Sequence, residues 1–219
     1  MKKILNLSLR GAVIIGVTVG VAIAQSHPDM SFFITSVGSG NGGDFGGLSG
    51  ADAHCQKLAT DAGAGQKTWK AYLSTSGTDT VDARNRIGKG PWHNAQGSEV
   101  AKDLEELHKP GTIHQKNALT EKGQVVPGLE SGRNNQHDIL TGSTPQGQAF
   151  PESDGDRTCK NWTSASSGGA MVGHHDLRNR NGEVTPWNSA HVSRGCSRQS
   201  FWTTGGEGLL YCFALSSEK

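Results

Sequence analysis

Gly50-Ala-Asp-Ala-His-Cys55-Gln-Lys-Leu-Ala-Thr60-Asp-Ala-Gly-Ala-Gly65-Gln-Lys-Thr-Trp-Lys70-Ala-Tyr-Leu-Ser-Thr75 is the stretch on which the fold turns. Ala51, Cys55, Leu58, Ala59 and Ala62 recur at steps of three and four, so they share one face of an amphipathic helix. Ser49 stands where an N-cap belongs, and Asp52 follows three residues later to answer the free amides. Gly63 and Gly65 stop the helix, because glycine enters the left-handed region without steric cost. From Trp69 to Ser74 the period changes to two: Trp69, Ala71 and Leu73 face one way, Lys70, Tyr72 and Ser74 the other. The sequence thus predicts a helix that buries Cys55 and leads into a half-buried strand.

Phe32–Val37 upstream reads as a strand, rich in aromatic and β-branched residues. Between strand and helix lie Gly38, Gly40, Gly42, Gly43, Gly46 and Gly47. No Lys-Ser/Thr follows them, so this run is expected to be a flexible surface loop and not a phosphate cradle. Downstream, Ser98–Lys109 reads as a second helix, capped by Ser98, striped by Val100, Leu104 and Leu107, and stopped by Pro110-Gly111. His137–Ser143 is expected to be a short strand, and from Cys159 onward short strands alternate with glycine loops. Leu209–Leu215 is apolar enough to be a central strand.

The chain has 219 residues, 33% of them apolar and 31 of them glycine, which predicts one domain with many loops around a modest core. A net charge of +1 gives no field that would draw it onto nucleic acid. Lys2, Lys3 and an uncharged run from Ala12 to Ala24 that ends Ala22-Ile23-Ala24 read as a signal peptide over residues 1–24. A short tail over 25–30 and a single domain over 31–216 are expected to follow, secreted or periplasmic, with no membrane span once the leader is cleaved.

Four cysteines allow three pairings. Position favours Cys55–Cys212, which ties the early helix to the last strand, and Cys159–Cys196, which closes the inner loop. The other pairings stay open on sequence alone. Loop entropy makes each bridge worth roughly 3–5 kcal/mol.

An early pair of helices, an outer bridge to the final strand and an inner bridge over a long-loop region make the chain resemble the α+β C-type lectin-like fold. The closest resemblance is to the endostatin domain. It is carried by Gly50–Cys55, Thr68–Thr75, Val81–Arg86, Cys159-Lys-Asn-Trp162 and Leu210-Tyr-Cys-Phe213, in order, from about Ser31 to Ala214. No Gly-X-Y tract precedes these segments, so the chain looks like a stand-alone bacterial-type relative with longer loops.

The resemblance implies binding and not catalysis, and it directs attention to particular residues. Calcium-dependent lectins are expected to show an acid-Pro-Asn-like triplet and Trp-Asn-Asp. Here Trp187-Asn188-Ser189 lacks the acid and no acid-Pro-Asn precedes it, so the usual sugar site is not carried over. Asp176, Asn179, Asn181 and Glu183 space oxygen ligands around a glycine turn and are the candidate calcium loop. No other cofactor is expected. His174-His175-Asp176 raises zinc, but adjacent strand residues face opposite ways and no third ligand stands at a typical spacing. Endostatin's zinc is held by histidines near the mature N-terminus, where this chain has only His27, so that site is not carried over either. Trp69 and Trp162 are expected in the core. Trp187 and Trp202, with Asn188, His174 and His191, are the candidate sugar contacts: flat apolar faces beside hydrogen-bonding groups. Arg84 and Arg86 match the basic residues that the resemblance links to sulfated polysaccharide. The expected partner is therefore a glycan or glycosylated surface, anionic polysaccharide included. The alternatives are a protein-binding adhesin or envelope-complex subunit, and a metal-dependent hydrolase.

Overall fold

The computed structural model describes residues 27–78 and 80–215; the expected leader and the domain's expected last residue lie outside them. The architecture is α+β. Strands β1 (Phe32–Ile34), β2 (Trp69–Ala71), β5 (Asp138–Leu140), β6 (Met171–His174), β7 (His191–Val192) and β8 (Gly206–Ala214) form one sheet, ordered β1-β8-β5-β6-β7 with β2 also on β8. Strands β3 (Trp92–His93) and β4 (Glu99–Ala101) form a separate pair. Every pairing is antiparallel except β5 with β8.

The nine-residue β8 is the hub. Its first half runs beside β5, while Tyr211, Cys212 and Phe213 lie opposite β1 and Cys212, Phe213 and Ala214 opposite β2. Its side chains alternate between two buried clusters. Leu210, Cys212 and Ala214 pack with Phe33, Ala71, Trp69 and the apolar face of helix α1 (Gly47–Asp61). Leu209, Tyr211 and Phe213 pack on the other side with Phe32, Tyr72, Trp92 and Trp187. A strand buried on both faces lets a chain poor in apolar residues build a core, since each fully buried large side chain contributes about 1.5–3 kcal/mol.

Cys55–Cys212 pins α1 to β8, and Cys159–Cys196 closes the loop region, each with Cα atoms 5.7 Å apart. Helix α1 buries Ala51, Cys55, Leu58 and Ala59 as its periodicity predicts. It starts three residues earlier than expected, from Gly46 in the left-handed region, so Ser49 lies inside the helix and caps nothing. Asp52 serves tertiary structure instead. Its carboxylate takes the Ala71 amide, Lys70 Nζ at 2.9 Å and Arg86 Nη2 at 2.8 Å on both oxygens.

The helix expected over Ser98–Lys109 is not formed. Val100 and Ala101 belong to β4, opposite Trp92. Only Leu104–Leu107 is helical (α2), one turn capped by Asp103, whose side chain accepts from the Glu106 amide. Spacings of three and four arose there from a strand followed by a turn. The glycine run is not a flexible loop either. Gly42 and Gly43 are buried, the Gly43 amide donates to Cys196 O, and a Cβ on Gly43 would come within 2.9 Å of Cys159 Sγ. The glycines form the seat of the inner disulfide. Nor are residues 27–30 a loose tail: the His27 amide donates to Ala95 O and Met30 is fully buried.

Beside that disulfide, the turn α3 (Cys159–Trp162) is left-handed, with φ between 49° and 67° at four consecutive non-glycine residues. Such a conformation costs roughly 1–2 kcal/mol per residue. It is held by Asp156, which accepts from the Thr158 and Lys160 amides, by Thr158 capping the Asn161 amide, and by the Trp162 indole donating to Ser74 O.

Candidate functional site

The inner half of the sheet brings together a cluster that lies scattered in the chain. Antiparallel register sets Asp138 of β5 directly opposite His174 of β6, and Val172 opposite His191 of β7. His137 precedes β5, where the backbone is not yet strand, so it can turn to the same side as its neighbour Asp138. Asp138 Oδ1 lies 3.1 Å from His174 Nε2, 3.2 Å from His137 Nε2 and 3.4 Å from His191 Nε2. The His137 and His174 rings stack with centroids 4.0 Å apart.

These distances suit ion pairs, but the N–H directions do not meet the carboxylate. Asp138 is 2% exposed, and neither of its oxygens accepts a hydrogen bond from the described residues. His174 Nε2 is buried without a partner as well. Burial opposes ionisation of Asp138, yet contact with His174 and His191, and the charge of His191 and His137, hold its carboxyl far below the ordinary range. The same contact with Asp138 raises the His191 pKa against the opposing effect of burial.

The outward nitrogen of each ring is held. His137 Nδ1 donates to Asp176 Oδ1 at 3.2 Å, His191 Nδ1 donates to Val192 O at 3.2 Å, and His174 Nδ1 lies 2.9 Å from the Thr185 hydroxyl. His175, next along the chain, is fully buried with neither ring nitrogen in hydrogen-bonding geometry; burial pushes its pKa down to about 4 and keeps it neutral. The two adjacent histidines therefore have separate roles, as their alternation in the sequence requires.

Above the cluster opens a cleft of about 230 Å³, lined by His137, His174, His191, Arg180, Arg194 and Thr203 among others. Arg180 and Arg194 are exposed. Helix α4 (Arg198–Trp202) ends just before Thr203; Trp202 is 51% exposed and lines a separate depression with Arg198, Gln199 and Glu207.

Of the expected contacts, His174 and His191 line this cleft, and Trp202 is exposed over the neighbouring depression. Trp187 and Asn188 are not available to a surface ligand. The Trp187 indole is buried and donates to Leu107 O, and the Asn188 amide donates to Tyr72 Oη, Thr144 O and Pro145 O. Arg86 is committed to Asp52, and Arg84 donates to Gln146 O, so the pair does not form a free anion patch. The candidate calcium loop does not converge on a centre. Asp176 spends both oxygens on His137, the Leu129 amide and the Arg178 amide, which hold its pKa at about 2 against the effect of burial. Asn179 Oδ1 accepts from the Asn181 and Glu183 amides, and its Nδ2 donates to Glu183, which closes the loop on itself as a turn. Sequence reasoning missed His137, Asp138, Arg180 and Arg194. The one available signal was the pair His137-Asp138 within a predicted strand.

In comparison with known proteins, no protein family and no curated protein matches the chain.

Proposed function

We propose that this chain is an extracytoplasmic, lectin-like recognition domain that binds an acidic glycan in the cleft over β5–β7. The observation that carries the reading is the convergence there of Arg180, Arg194, three histidines, Thr203 and Thr204, with exposed Trp202 one residue before Thr203. Guanidinium groups pair with carboxylate or sulfate in a forked geometry, hydroxyls and imidazoles exchange hydrogen bonds with sugar hydroxyls, and an indole face covers the apolar side of a pyranose ring. The two disulfides and the C-type lectin-like layout expected from the sequence support the same reading. Among the described residues no helix is long and apolar enough to cross a membrane.

A glycan array probed with purified protein tests this. Binding to uronate- or sulfate-bearing glycans, lost in Arg180→Ala/Arg194→Ala and weakened in Trp202→Ala, is the expected result. An array blank for acidic glycans, or binding untouched by the double arginine variant, overturns it. Retention on a purified envelope protein after enzymatic deglycosylation would favour protein recognition instead.

A further inference from the structure

We propose that His137, Asp138 and His174, with His191 as the fourth donor, form a binding site for a divalent transition-metal ion, zinc above all. The proposal rests on the cluster alone and does not require the cleft above it to bind a saccharide.

The first argument is chemical. His137 Nδ1 and His191 Nδ1 face a carboxylate and a carbonyl oxygen, which only accept, so the proton of each neutral ring resides on Nδ1. Each Nε2 then presents a lone pair, 3.2 and 3.4 Å from the oxygen of a buried carboxylate that accepts no hydrogen bond. His174 adds a third Nε2, itself buried and unpartnered. Donors converging on donors repel one another. A cation at the centre turns that repulsion into coordination.

The second argument is geometric. The donor atoms of His137, Asp138 and His174 all lie within 4.8 Å of one another. A tetrahedral ion with bonds of about 2.0–2.1 Å places its ligands about 3.3–3.4 Å apart. The three separations from Asp138 Oδ1, 3.1, 3.2 and 3.4 Å, match that edge length. His137, Asp138 and His174 are buried, whereas the His191 side chain is 36% exposed on the cleft side. The three buried residues form the base of the site, and His191 closes it toward solvent.

The third argument lies in the surroundings. A metal-bound imidazole almost always donates its other N–H to a carboxylate or carbonyl, which orients the ring and raises its basicity. Asp176 does this for His137, the Val192 carbonyl for His191, and Thr185 is placed to hold His174. Two imidazoles, a carboxylate and a further imidazole suit zinc and its neighbours in the first transition row, not calcium, which takes oxygen ligands.

The test uses disulfide-intact protein stripped with a chelator and titrated with zinc against a chromophoric chelator. Cobalt(II) substitution in parallel gives a visible spectrum that reports tetrahedral nitrogen–oxygen coordination. About one zinc per chain is expected, with a rise in melting temperature on zinc addition. Asp138→Asn and His174→Ala are expected to weaken binding at least about 100-fold, and His191→Ala by roughly 10-fold. His27→Ala, which removes the histidine nearest the expected mature N-terminus, leaves binding unchanged. Near-UV circular dichroism checks the fold of each variant, and half-exposed His191 supplies a variant outside the packed core. Substoichiometric zinc in the wild type overturns the proposal. So does an Asp138→Asn variant that binds as tightly as the wild type, or binding that disappears with His27.

Discussion

Two aspartates, half-buried Asp52 and buried Asp138, set the two halves of the molecule apart. Asp52, on the helix side of the sheet, is surrounded by donors: a backbone amide, an ammonium and a guanidinium, all aligned. Asp138, on the inner strands, is surrounded by ring nitrogens at similar distances and accepts a hydrogen bond from none of them. The first carboxylate is complete within the fold and acts as a structural clamp. The second is complete only when something else enters. Nearness alone does not separate a structural ion pair from a ligand site; the direction of the protons does.

The same contrast holds for imidazoles. His108 donates from Nδ1 to Leu104 O, so Nε2 accepts from the Tyr72 hydroxyl, which in turn accepts from Asn188. Burial pushes the Tyr72 phenol well above its ordinary range, against the opposing effect of the Asn188 hydrogen bond. Both His108 ring nitrogens and the Tyr72 hydroxyl have partners. His174, more deeply buried, has one nitrogen held and one bare.

The comparison breaks most readily at Asp52. Replacing it with alanine strands the Arg86 guanidinium, 11% exposed, without its partner. Loss of about 3–5 kcal/mol of unfolding free energy in urea titration is expected; a loss below 1 kcal/mol would erase the distinction drawn here. Next comes Asp176, which orients His137 without reaching the centre. Asp176→Asn is expected to weaken zinc binding by about 10- to 100-fold with near-native stability in chelator, and isothermal titration together with thermal melts separates the two effects. Smaller still, Asp138→Asn in chelator is expected to cost about 1–2 kcal/mol, since no hydrogen bond is lost and only the attraction to the imidazoles goes. A penalty as large as that at Asp52 would make Asp138 a structural residue.

The smallest effect belongs to His108. Burial lowers its pKa from the ordinary 6.5, the Leu104 carbonyl opposing and the Arg84 charge adding to the shift. A histidine depressed in the folded state contributes stability above its unfolded pKa and loses it as the pH falls toward the folded value. His108→Gln is thus expected to flatten the decline in unfolding free energy below pH 6.5, read from urea titrations across that window. An unchanged slope would mean that the His108 imidazole takes up a proton as readily folded as unfolded.

What was legible in the sequence was what depends on neighbours along the chain. The face of α1, the apolar central strand and the positions of all four cysteines follow from local periodicity, and both disulfides form between the pairs that position favours. Val100, Leu104 and Leu107 misled because one spacing serves two structures, and only the pairing of Ala101 with Trp92 decides between them. The histidine site was illegible for a different reason. Its ligands come from three strands and meet through register, a property of pairs of strands and not of any one segment. Trp187 and Asn188 illustrate the converse: a loop-like sequence folded inward because Leu107, Tyr72 and Thr144 offered partners that no local reading could foresee.

The placement of β8 has a consequence for how the molecule is made. A chain leaves the ribosome amino end first, and here β1 and β2 both wait for the final strand before they have a neighbouring strand. β3–β4 and β5–β6–β7 can pair beforehand, but neither buried cluster is complete until β8 arrives, near the end of synthesis. Contacts of such long range make for slow maturation and a prolonged need for protection from aggregation. A premature stop before Gly206 therefore yields no partial domain, only substrate for proteases.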